Sequence, residues 1–318
     1  MRNLIILKTH VWTPDLESFV RKIYHEIGQN DHFRCLVHLT GSGPKNKDSH
    51  PNDLPIITFH EDEIKIYPQG YINIHLSNHW IMMWYFNQFK LEYDYLWSIE
   101  YDVRIVGDSR YLWSYQGDED FLYPRGNSQR PSIYYQYYTY PSSCPQKLLS
   151  SCPQELLSSC PSCPQELLSS CPSCPQELLS SCPSCPSCPS CPSCPSCPSC
   201  PSCPSCPSES QTKEHQMKGP LTPAEKRVGF LQLARYSRRA LEYLDACFRQ
   251  GENGQDEMIT FSLLNRAKMK ISQDLLAPLI RGVWTWQDKY VHHNVQVYQH
   301  YLKYEKYLER PVILHPVR

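Results

Sequence analysis

The chain has 318 residues, 41% of them hydrophobic, 20% charged and 12% aromatic, with a formal net charge of -1. These values exclude a fibrous or disordered whole, and a near-neutral balance with scattered Lys and Arg gives no field to hold a polyanion, so no nucleic-acid partner is expected. The apolar run Leu4 to Leu7 is short of the roughly 7 to 15 residues of a signal peptide, and Trp80 to Phe86 is short of the about 20 of a membrane span; the expected compartment is the cytosol.

Residues 4–10 read as a first strand, Asp15 to Ile27 as a helix with Leu16, Phe19, Val20, Ile23 and Ile27 at helical spacing, and Phe33 to Thr40 as a second strand. This is a β-α-β unit. A polar loop follows to Pro55, then short strands Ile56 to His60 and Ile64 to Tyr67, a helix His79 to Lys90, and the buried-strand pattern YDYLWSIEYDVRIVGD. Strands alternating with helices predict an α/β fold, a mainly parallel sheet flanked by helices, with ligands expected beyond the carboxyl ends of the strands. Tyr134 to Tyr140 reads as one more strand, its aromatics belonging equally to core or to a sugar-facing surface.

Fifteen of the 17 cysteines lie between Cys144 and Cys206, in SCPQELLS units and then bare SCP triplets. C-x-x-C is a zinc-ligand spacing, but a proline at every third residue forces an extended polyproline helix in which three residues advance about 9 Å. Neighbouring thiolates then cannot share one tetrahedral ion. The repeat is expected to be a disordered linker, giving a predicted organisation of 1–140 as one half, 141–217 as linker and 218–318 as a helix-rich second half of the same domain.

Beyond the repeat, Thr222, Pro223 and Glu225 read as a helix start, with a helix to about Arg249. GQDEM opens another, and helices are expected at Ser272 to Ile280 and Val291 to Leu308 before a terminal VILHPVR strand or loop.

The chemistry concentrates in WSIEYDVRIVGD. Glu100 and Asp102 sit two apart, so both carboxylates project to one face near a strand end and can approach one hard cation. The alternative is an ordinary pairing with a neighbour such as Arg104. Tyr95, Leu96, Trp97 and Ile99 read as a buried strand and sharpen the first reading, because charges emerging from a buried strand require partners or a ligand.

YLWSIEYDVRIVGD resembles the acidic D-x-D-type motif of the GT-A glycosyltransferases, with Glu100 replacing the commoner first Asp. RVGFLQLARYSRRALEYLDACF and GQDEM resemble the acceptor-side helices of that family, and the closing HPV resembles its late metal-site histidine. The resemblance implies Mn²⁺ or Mg²⁺ held by Glu100, Asp102 and His315, a nucleotide-diphosphate sugar as donor, and Asp256 or Glu257 as base. Thr9 and His10 stand where such folds meet the nucleotide, beside Glu100 and Asp102. The acceptor is expected to be a glycan, lipid or protein hydroxyl.

Each of these residues has a plainer reading. His315 reads equally as a surface histidine, Asp256 and Glu257 as charges on a helix dipole, and Thr9 and His10 as a polar loop. Trp284 and Trp286 read as an aromatic wall for an acceptor sugar or as packed core. A catalytically inactive binding or scaffold protein of the same fold is the alternative function. The sequence holds no phosphate-binding Gly loop, no nucleophile elbow and no H-E-x-x-H motif, which sets aside phosphate-loop enzymes, serine hydrolases and zincins.

Overall fold

The structure, a computed structural model, describes residues 1–39, 51–68, 70–125, 138, 140, 220–284 and 287–318. The Ser-Cys-Pro repeat and Trp286 lie outside the described residues, as does the Tyr134–Tyr140 stretch apart from Tyr138 and Tyr140. Met1–Tyr140 and Leu221–Arg318 together make one compact unit; of the other, Pro141–Pro220, only Pro220 is described.

Strand β1 (Asn3–Thr9) is buried along its whole length because it runs between two parallel neighbours, β2 (His32–His38) and β4 (Tyr95–Glu100). That position is why its sequence is a continuous apolar run rather than an alternating one. Leu4 and Ile6 point to one face of the sheet and Ile5 and Leu7 to the other. β3 (Ile56–Phe59) extends the sheet parallel to β2.

On the face of Ile5 and Leu7 lies α1 (Pro14–Glu26), which buries Leu16, Phe19, Val20 and Ile23. It starts where Thr13 accepts a hydrogen bond from Leu16 N and Pro14 fills the first turn. The opposite face carries α2 (His79–Gln88), whose residues from His79 to Tyr85 are all buried. α4 (Arg238–Arg249) and α5 (Asp256–Arg266) share that core through Leu241, Leu244, Met258 and Ile259. The short α3 (Arg110–Trp113) follows β5 (Arg104–Val106).

Two more strands, β6 (Phe121–Leu122) and β7 (Leu233–Ser237), and then β8 (Ile271–Ser272) complete a seven-stranded sheet of order β3-β2-β1-β4-β7-β6-β8. β7 runs antiparallel to both β4 and β6; the other pairs are parallel. The fold is α/β with a mainly parallel sheet flanked by helices. A separate antiparallel pair joins β5 to β9 (Val312–Leu314).

Three predicted elements are corrected. The helix expected from Thr222 to Arg249 is a turn, a strand and a helix. Glu225 Oε2 does accept from Thr222 N at 2.8 Å and Thr222 Oγ1 at 2.9 Å, the carboxylate half of a capping box, but only a turn follows. Residues 233–237 instead pair with β4, and the ladder overrides the helix preference of Leu, Ala and Arg. Ser272 to Ile280 holds only a single 3₁₀ turn, Ala277–Leu279. Ile64 to Tyr67 is turn and bend rather than strand. The last long helix, α6 (Val291–Lys303), is followed by a 3₁₀ turn at Glu305–Tyr307. Among the described residues no helix is long and apolar enough to cross a membrane.

Candidate functional site

β1, β2 and β4 run parallel, so their carboxyl ends open on the same edge of the sheet. A cleft of 710 Å³ lies there, lined by Lys8, Thr9 and His10 from the end of β1, His38 from β2, and Glu100, Tyr101 and Asp102 from β4. Asn78 at the start of α2, Gln255, Asp256 and Glu257 at the start of α5, and Arg318 close it. The cleft is where a parallel sheet offers ligands its unpaired strand ends.

His315 reaches this edge because β9 pairs with β5, which follows Asp102 by a tight turn. Val317 N donates to Asp102 O at 2.8 Å and Asn294 Nδ2 donates to His315 O at 2.9 Å, fixing the segment from both sides. Ligand atoms of Glu100, Asp102 and His315 then lie within 4.8 Å of one another. Asp102 is 3% exposed and His315 1%. Asp102 Oδ1 faces His315 Nε2 at 3.5 Å and accepts no closer donor among the described residues.

Two cations already attend these carboxylates. Lys8 Nζ is 3.9 Å from Glu100 Oε1, a neighbour dictated by register, since Lys8 and Glu100 are cross-strand partners of β1 and β4. Arg318 Nε is 3.2 Å from Asp102 Oδ2. Asn78 Nδ2 donates to Glu100 Oε1 at 2.5 Å. Arg104, considered from sequence as a partner for the acid pair, is turned away and pairs with Asp15 at 2.6 Å.

The electrostatics follow from burial. Burial pushes Glu100 up, with Lys8 opposing. Burial also pushes Asp102 up, but the hydrogen bond and charge of His315 and then Arg318 outweigh it and hold the group below its usual value. Burial lowers Lys8, against the pull of Glu100 and Asp256. Burial and then the charge of Glu100 push Asp256 up to about 8, and burial with the charge of Asp256 takes Glu257 well above the carboxylate range.

The other predicted site residues fall as follows. Asp256 Oδ1 accepts from Glu257 N and Gln255 Nε2, both at 2.8 Å. Glu257 Oε1 accepts from Gln232 Nε2 at 3.0 Å, and Gln232 Oε1 accepts from Trp284 Nε1 at 3.2 Å. Thr9 Oγ1 is engaged in the turn, donating to Val11 O and accepting from Val11 N. His10 is half-buried and edge-on to Tyr101, with ring centroids 4.6 Å apart. Trp284 does not line the cleft; it is 4% exposed and stands behind His315 with ring centroids 5.0 Å apart.

Sequence reading missed Lys8, Asn78, Gln232 and Arg318. Lys8 carried a usable signal, a lysine at the end of an apolar run; Asn78 and Arg318 reach the cleft, and Gln232 reaches Glu257 behind it, only through tertiary contacts.

No family model and no curated protein matches this chain. Among solved structures, it is similar to the galactosyltransferase LgtC in complex with donor and acceptor sugar analogues. The identity is 13% and the TM-score 0.26, over 42% of this chain and 50% of that one. The match spans half the length of that protein, a likeness too slight to bear on function.

Proposed function

We propose that this chain transfers a sugar from a nucleotide-diphosphate donor to an acceptor hydroxyl with the help of a divalent cation. The observation that carries the reading is the convergence of Glu100, Asp102 and His315 within 4.8 Å at the carboxyl edge of the parallel strands. The donor set fits Mn²⁺ or Mg²⁺: two hard carboxylates and one imidazole, with Asp102 and His315 facing each other at 3.5 Å in a buried corner. When bound, the ion would neutralise charge developing on the departing diphosphate.

The chain's own groups account for the remaining chemistry. An acceptor hydroxyl needs a base within reach, and a base works best with a pKa near the working pH. Asp256, pushed up to about 8, meets that condition better than Glu257, which burial pushes well above the carboxylate range and which is tied to Gln232. Thr9 holds the turn after β1, which keeps His10 on the wall of the cleft where a nucleotide would bind. The acceptor contact expected of Trp284 becomes a supporting one, through His315 and Gln232.

A second reading, an inactive binding protein of the same fold, draws support from Lys8 and Arg318, which neutralise Glu100 and Asp102 internally. Thermal unfolding against a panel of nucleoside diphosphates and their sugars, with and without Mn²⁺, separates the two. A ligand at about 100 times its Kd stabilises by roughly 2.7 kcal/mol. Stabilisation by one nucleotide, dependent on metal and lost in Asp102→Ala, is the result expected of a transferase; no shift with any nucleotide leaves the inactive reading.

A further inference from the structure

The cleft carries its own counter-charges. Glu100 faces the ammonium of Lys8 at 3.9 Å, and Asp102 faces the guanidinium of Arg318 at 3.2 Å. The Lys8 side chain is 8% exposed and that of Arg318 43%, so one cation sits on the floor of the cleft and the other at its mouth. A divalent cation taking these carboxylates competes with both. It also draws Glu100 away from Lys8 and Asp102 away from Arg318 and adds two further positive charges to a poorly solvated pocket, an arrangement that water compensates badly.

We propose that Lys8 and Arg318 are exchangeable counter-ions: they hold Glu100 and Asp102 until a divalent cation takes the carboxylates, and then turn to a diphosphate-type anion. This rests on the cation-binding reading of Glu100, Asp102 and His315. Cation and anion binding are thereby coupled, each raising the affinity of the other by the same factor. The two side chains suit their stations. A guanidinium at the mouth can grip phosphate oxygens in pairs, while the ammonium on the floor acts as a point charge.

The coupling gives the two cations effects of opposite sign on the two ligands, which a purely structural role would not. The experiment titrates full-length protein with Mn²⁺ alone, followed by the spin resonance of free Mn²⁺, and with inorganic pyrophosphate at fixed Mn²⁺ by calorimetry. The proteins are the parent, Lys8→Met, Arg318→Met and the charge-preserving Arg318→Lys. Arg318 is at the surface, so its variants test the idea even if Lys8→Met fails to fold.

The expected result for Arg318→Met is Mn²⁺ bound about fivefold tighter without anion, the worth of one part-exposed ion pair, and pyrophosphate bound about fivefold more weakly. Arg318→Lys restores most of both. Affinities for the two ligands that fall together, or stay unchanged, overturn the proposal and leave the cation site standing. No Mn²⁺ binding by the parent, with or without pyrophosphate, overturns the cation site itself and the proposal with it.

Discussion

His315 Nε2 stands 3.5 Å from Asp102 Oδ1, with both side chains almost fully buried. The pairing is made by strand registry: β9 lies against β5 with Leu314 opposite Arg104, so His315 falls level with the turn that carries Asp102. Trp284 closes the far side of the imidazole. If the imidazole is a ligand, His315→Ala weakens Mn²⁺ binding by at least about tenfold, and Trp284→Leu, which only frees the ring, by about tenfold or less. Mn²⁺ titration of the two variants checks the order.

Asp256→Asn separates stability from activity. Three carboxyl groups, Glu100, Asp256 and Glu257, share one buried corner, and each raises the cost of ionising the next. An amide keeps Oδ1 available to Glu257 N and Gln255 Nε2 while removing the charge. The variant is expected to gain about 1 kcal/mol in urea unfolding at neutral pH while losing sugar transfer. A variant less stable than the parent contradicts the account of crowded charge.

His79 makes stability depend on pH. Its Nε2 faces Asn253 Oδ1 at 3.2 Å, an atom that only accepts, so Nε2 carries the hydrogen. Nδ1 has no hydrogen-bond partner among the described residues, and burial pushes the ring down to about 3. The unfolded chain takes up this proton near pH 6.5 and the folded one does not. The stabilisation from a neutral His79 is therefore full above 6.5 and lost as pH falls toward 3, at up to about 1.4 kcal/mol per pH unit. Urea unfolding of parent and His79→Gln from pH 7.5 to 4.5 should show their difference changing in that direction; a constant difference rejects it.

Gly229 is a point of close approach. A Cβ there would meet the Phe261 ring at 2.3 Å, and its N donates to Glu257 O at 3.2 Å. Gly229→Ala should cost about 1–3 kcal/mol by overpacking and displace the start of α5, lowering ligand affinity as well as the melting temperature. Phe261→Leu in the same chain is expected to restore part of both losses.

Removing residues 143–208 shortens the connection between Tyr140 and Leu221 more than fivefold. β4 and β7 lie on either side of it and pair from Tyr95–Ser237 to Ile99–Leu233. Loop-closure entropy alone predicts a gain of about 1.5 kcal/mol on shortening. The shortened chain should melt no lower than the parent and bind the same ligands; failure to fold would give the repeat a structural part.

How much was legible follows the range of the forces involved. β1, α1 and β2 were readable because continuous apolar runs and helical spacing are local signals. The Glu100 and Asp102 pair was readable as two acids at the end of a buried strand, although Asp102 stands in the turn after β4 and not on the strand itself. β7 was not, because Leu233, Ala234 and Arg235 lean toward helix and only a distant partner makes them strand. Lys8 met Glu100 through register, and Gln232 met Glu257 across the sheet edge. His315 came from family likeness alone, and no pattern near Arg318 announced its contact with Asp102.

The short β5–β9 ladder has a consequence for synthesis. Glu100 and Asp102 are translated soon after β1 and β2, whereas His315 joins them only once Val312–Leu314 is made and zipped against Arg104–Val106. A nascent chain can therefore pair β1, β2 and β4 before the three side chains are able to meet. Their grouping reports that a contact between distant parts of the chain has closed.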